Sequence, residues 1–93
     1  MDPEEHLRKV KQQLDNAVVI ALENLHTPGM EGLRMASEPV KLAYEYRNAL
    51  MAAAETASTE VAEHYRLLAS HAVPKAEFLM SAIVGYRGKH NIM

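Results

Sequence analysis

Cysteine is absent from the 93 residues. No disulfide can brace the chain, no thiolate can hold a metal, and no thiol can serve as a nucleophile; the redox compartment is left open. A basic excess is also missing, with ten Lys/Arg against twelve Asp/Glu and a formal net charge of -2. That balance offers no surplus of cations to neutralise a phosphate backbone and argues against nucleic acid as the main partner. Long apolar runs are lacking as well. The longest reach six residues, Ala17 to Leu22 among them, where a membrane span needs about twenty, so a soluble protein with no membrane span is expected. Asp2, Glu4 and Glu5 have the wrong sign for a secretory or transit leader, and no targeting segment is expected. There is no glycine-rich phosphate loop, and Ser37, Ser58, Ser70 and Ser81 lie in helical or capping contexts without a strand-turn-helix elbow. No enzymatic activity and no cofactor are therefore expected, and the cellular compartment is undetermined.

What the chain does have is helical punctuation. Asp2 followed by Pro3, Glu4 and Glu5 combines a capping side chain, proline at the first helical position and acids on the positive end of the dipole. Leu7, Val10, Leu14, Ala17, Val18, Ala21, Leu22 and Leu25 then recur at steps of three and four, which marks one buried stripe. Thr27-Pro28-Gly29 ends this helix, and Met30 to Ala36 has room for one helical turn, weakened by Gly32. Ser37-Glu38-Pro39 reads as a second start.

From Val40 to Ala54, eleven of fifteen residues are apolar, more than a one-faced helix requires. Glu38, Lys41, Glu45, Asn48, Glu55, Thr59, Glu63, Arg66 and Ser70 keep one polar register straight through Ala57-Ser58-Thr59, so a single long helix is expected, with the Ser-Thr pair able to kink it. Pro74 predicts a break. A short last helix follows, with Ala76, Leu79, Met80, Ile83 and Val84 on its stripe and Phe78 and Tyr86 off to the side. Gly85 and Gly88 then loosen the chain into a basic tail of Arg87, Lys89 and His90, which is ordinarily just solvated and otherwise suits a phosphate or an acidic partner.

The expected fold is thus all-α and a single domain over 1–93. It is an elongated helical hairpin of a first helix over about residues 3–26 and a long second helix over about 38–72, with a short C-terminal helix over about 74–86. A helix of about 35 residues is roughly 52 Å long, whereas a compact chain of this length has a radius of gyration near 12 Å. Such a rod carries more apolar faces than its own chain can cover, and a domain this small is marginal without outside support. The expectation is a non-catalytic structural or interaction protein that self-assembles into a helical homo-oligomer. Val19, Ile20, Leu42, Tyr46, Ala49, Leu50 and Ala53 are its interface residues. Two alternatives stand beside it: a small binding module (adaptor, chaperone or inhibitor) docking on one protein partner, and a metal-binding four-helix dimer. A closed three-helix monomer, in which the last helix folds back over the second face, is the bland form of the same sequence.

Metal chemistry rests on Glu60, Glu63, His64 and His71, which one helix can present on one side. A dinuclear carboxylate site wants Glu-x-x-His from two helices and two more glutamates. Glu23 to His26 has that spacing once, and Glu60 to His64 misses it by one residue, so solvated or dipole-complementing histidines are the stronger reading and no metal ligand is assigned.

Overall fold

The structure is a computed structural model that describes residues 2–92. Three helices, α1 (Pro3–Glu23), α2 (Gly29–Thr56) and α3 (Thr59–Lys89), run up, down and up. The first begins as its residues dictate: the Asp2 carboxylate accepts from the Glu4 amide, Pro3 occupies the first turn, and Glu4 and Glu5 face the dipole. It stops at Glu23, three residues before the expected end, because the Asn24 side-chain amide turns back to donate to the Ile20 carbonyl and the Thr27 amide closes a turn on Asn24.

The second helix starts at Gly29, not near residue 38. Pro28 is its N-cap, and Gly29 takes a left-handed φ of +73° where the five-residue loop 24–28 enters the helix. Met30 to Ala36 is therefore full helix. Ser37 is no cap but a mid-helix residue whose hydroxyl donates to the Arg34 carbonyl. Pro39 lies inside α2, fully buried, and its packing outweighs the ladder bond it cannot make.

The expected 35-residue rod is two helices. Ala57 turns extended, with ψ at 164°, and Ser58 caps a new helix by accepting from the Val61 amide, with Glu60 on the dipole. The C-terminal helix is consequently long: it passes through Pro74 without a break and carries Gly85 and Gly88 to its end at Lys89. Pro74 is exposed on the outer side. Pro74→Ala restores a helical N–H donor with no loss of core packing, and is expected to raise the melting temperature by several degrees in a thermal scan; no rise would mean that the helix has already absorbed the proline at no cost.

α2 is the middle element. It packs along both neighbours, while α1 and α3 barely approach each other at backbone level. Three apolar clusters follow one another down the bundle: Leu7, Val10, Ala49, Leu50, Ala53 and Ala69 at one end; Ala43, Val73 and Ala76 in the middle; Ala21, Ala36 and Ile83 at the other end. Among the described residues, alanine supplies eleven of the sixteen buried apolar ones. Backbones so close leave little room for large side chains, so the bigger apolar groups are displaced towards the rim. The result is a slender body, 49 × 22 × 15 Å, with a radius of gyration of 15.1 Å against about 12 Å for a compact chain of this length.

Candidate functional site

The seven residues expected at an interface divide into two groups. Ala49, Leu50 and Ala53 are core, with Leu50 0 % exposed, and they sit in the cluster shared by all three helices. The face of α2 assigned to a partner is covered by α3 folding back. Tyr46 is half-buried against the same cluster, and Leu42 is half-buried on the groove between α1 and α2. Val19 and Ile20 remain outside, 51 % and 49 % exposed.

A second apolar surface lies on α3, where sequence reasoning leaves Phe78 to one side and does not single out Leu67. Phe78 is the only phenylalanine of the chain and is 77 % exposed, and Leu67 is 58 % exposed. Along the helix, Glu60, His64, Leu67, His71, Pro74, Phe78, Ala82, Gly85 and Lys89 fall within about 40° of one line at 100° per residue; all are exposed. The stripe is opposite the alanine face that α3 presses onto α2. Its signal is present in the sequence, but the expected break at Pro74 cuts it into two pieces that look too short to matter.

α3 is long and apolar enough to meet a length-and-composition test for a membrane span, yet only 22 % of its most apolar 18-residue window is buried. It carries Pro74, Lys75 and Glu77 near its middle. The low burial is the useful part. The apolar content of α3 exceeds what α2 takes up.

Between α1 and α3 runs an apolar groove of about 290 Å³, walled by Leu14 and Val18 on one side and Leu68, Ala72 and Leu79 on the other. Polar ties bridge its two ends. At one end the Tyr65 hydroxyl donates to the Glu4 carboxylate at 2.7 Å, an anionic neighbour that holds the phenol above its ordinary pKa. At the other the Tyr86 hydroxyl meets His26 Nε2 at 3.1 Å with the rings edge to face.

The expected basic tail is instead the last turns of α3. Its Arg87 is buried, and Nη1 donates to the carbonyls of Thr27 at 2.6 Å and Leu25 at 3.2 Å, bolting α3 to the loop that ends α1. Among the described residues its Nε has no hydrogen-bond partner and no carboxylate forms an ion pair with it. Glu60, His64 and His71 stand exposed along α3, and among the described residues no three His, Asp or Glu side chains converge on a point that could hold a metal ion. The exposed pair Glu31 and Arg34 does no more than stabilise its own turn: the bond to Arg34 lowers the Glu31 pKa and raises that of Arg34.

No protein-family model, curated protein or solved structure matches this chain.

Proposed function

We propose that this protein is a non-catalytic structural subunit that works through protein–protein contact and associates with copies of itself through the outward face of α3. The observation that carries the reading is the inversion of the usual order: alanines fill the core while the only phenylalanine and Leu67 face water on one helix. Fully burying a Leu or Phe side chain is worth about 1.5 to 3 kcal/mol, and this bundle leaves that gain unused. Surface area points the same way. The chain exposes 6111 Å², whereas a compact monomer of its mass exposes about 5,400 Å². The surplus of about 700 Å² is close to the ~800 Å² that one partner contributes to a standard interface.

Sedimentation velocity across a range of concentrations tests this. The wild-type chain is expected to gain mass with concentration, and Phe78→Asp to raise the dissociation constant tenfold or more while keeping its helical circular dichroism. A chain that stays monomeric at several hundred micromolar would end the proposal.

The groove between α1 and α3 favours a second reading, a binding module that seats one helix of another protein as a fourth member of the bundle. Leu14, Val18, Leu68 and Leu79 are its natural contacts. On that reading Val18→Asp, in the groove wall but outside the three core clusters, weakens capture of the partner and Phe78→Asp does not.

A further inference from the structure

We infer that two copies of this chain pair through α3 in antiparallel orientation, with Glu60 of one copy beside Lys89 of the other at both ends of the contact. The inference rests on the self-association proposed above and specifies its geometry.

The exposed stripe from Glu60 to Lys89 takes eight steps over 29 residues. That mean of about 3.6 per step is the pitch of a straight α-helix, so the line does not wander off the face and the whole length of α3 is usable. Its chemistry is graded: acid at the first turn, Leu67, Pro74, Phe78 and Ala82 with two histidines in the middle, base at the last turn. Parallel pairing would stack Glu60 on Glu60 and Lys89 on Lys89. Reversing one copy places acid against base twice and opposes the two helix dipoles.

Size selects the register. When Glu60 is set level with Lys89, residues whose numbers share the same total lie opposite one another. Leu67 then meets Ala82, Phe78 meets His71, and His64 meets Gly85. In these three pairs the large group faces a small one or an aromatic ring it can stack on, which favours close packing of two helix faces, and at the centre Pro74 meets Lys75. All of these positions are exposed, and none belongs to the three core clusters. The pairing therefore asks for no rearrangement of the bundle.

The absence of cysteine makes the arrangement directly readable. Leu67→Cys and Ala82→Cys chains of different tag length, mixed in equal amounts and oxidised with copper phenanthroline, are expected to give mainly the mixed dimer, one chain of each variant, several-fold over either homodimer. In this geometry the like positions lie 15 residues apart along the contact, about 22 Å, too far for a disulfide. Glu60→Lys alone and Lys89→Glu alone are each expected to weaken dimerisation two- to tenfold, and the double variant to restore it. Dominant Leu67→Cys homodimers, or single and double charge variants of equal affinity, would overturn the antiparallel pairing. Sedimentation of the wild-type chain separates the two failures. An oligomer that lacks the mixed cross-link defeats this geometry and leaves self-association standing, whereas a monomer at high concentration defeats both.

Discussion

Leu50→Asp is expected to leave no cooperative thermal transition, whereas Asn48→Asp, two residues away on the solvent side, is expected to melt within a few degrees of the wild-type chain. Leu50 has no exposed surface and sits where Leu7 and Val10 of α1 and Ala69 of α3 converge on α2. An ionised carboxylate there loses its hydration with no hydrogen-bond donor or cation to replace it, and it either takes up a proton at a cost or opens the bundle. A domain of this size holds about 5 to 14 kcal/mol of total stability. Leu50→Ala alone, through lost transfer and the cavity left behind, removes about 2 to 5 kcal/mol of that, roughly 10 to 30 °C in melting temperature. The alanine neighbours make the larger figure apt, since short side chains on close-packed backbones cannot swing into the gap. The charge adds several kcal/mol more. A Leu50→Asp chain with a sharp transition near the wild-type temperature would show that this side chain is not held between three helices.

Association experiments have to be read with that in mind. Loss of assembly in Leu50→Asp reports the failure of the bundle, and so says nothing of a partner's footprint. Phe78 and Leu67 differ because they leave the core clusters untouched, so a charge there separates docking from folding. The Val19–Ile20 patch on α1 is equally free of the core. On the proposed self-association it would supply a contact independent of α3.

The helical character of the whole chain, the start of α1 and the apolar stripe of Leu7, Val10, Ala17 and Ala21 were legible because capping and periodicity are local. The missed boundary at Ala57 and Ser58 has a simple cause. Ala57 and Ser58 reverse the chain in so few residues that the polar register on either side stays in phase, and a hairpin then looks like one rod. Pro39 and Pro74 send the opposite false signal. Proline is a local breaker, but tertiary packing on α2 holds both helices together through it.

The site was less legible than the fold for the same reason. A rod to residue 72 leaves its second face bare, and Ala49, Leu50 and Ala53 follow as interface. Once α3 returns along α2, those residues become core and the bare face moves to the far side of α3, to Leu67 and Phe78. Arg87 shows the limit of composition most clearly. Among Gly85, Gly88, Lys89 and His90 it reads as a loose basic tail, and only the proximity of the loop ending α1 makes it an internal bolt.

That bolt carries the second large expected effect. Gly32→Ala in a helix ordinarily gains about 1 kcal/mol, since alanine is the best helix former and glycine among the worst. Here the sign reverses. A Cβ at position 32 would overlap the Thr27 carbonyl oxygen and lie 2.6 Å from both terminal nitrogens of Arg87. The carbonyl belongs to the backbone of a tight loop and cannot swing aside, and the guanidinium is buried and fixed by its bonds to Leu25 and Thr27. Relief requires α2 to move off the loop. That forfeits close packing, at about 1 to 3 kcal/mol, and strains or breaks a charge-assisted bond worth about 1.5 to 3 kcal/mol. Net of the propensity gain, Gly32→Ala is expected to cost about 3 kcal/mol, on the order of 15 °C in melting temperature. Gly85→Ala and Gly88→Ala supply the contrast within the same protein. Nothing lies within 4 Å of a Cβ at either, so each is expected to gain about 0.5 to 1 kcal/mol from helix propensity alone. Three thermal melts decide it. A rise at all three positions would mean that Arg87 and the loop do not close over Gly32, and the lock between the end of α1 and the end of α3 would go with them.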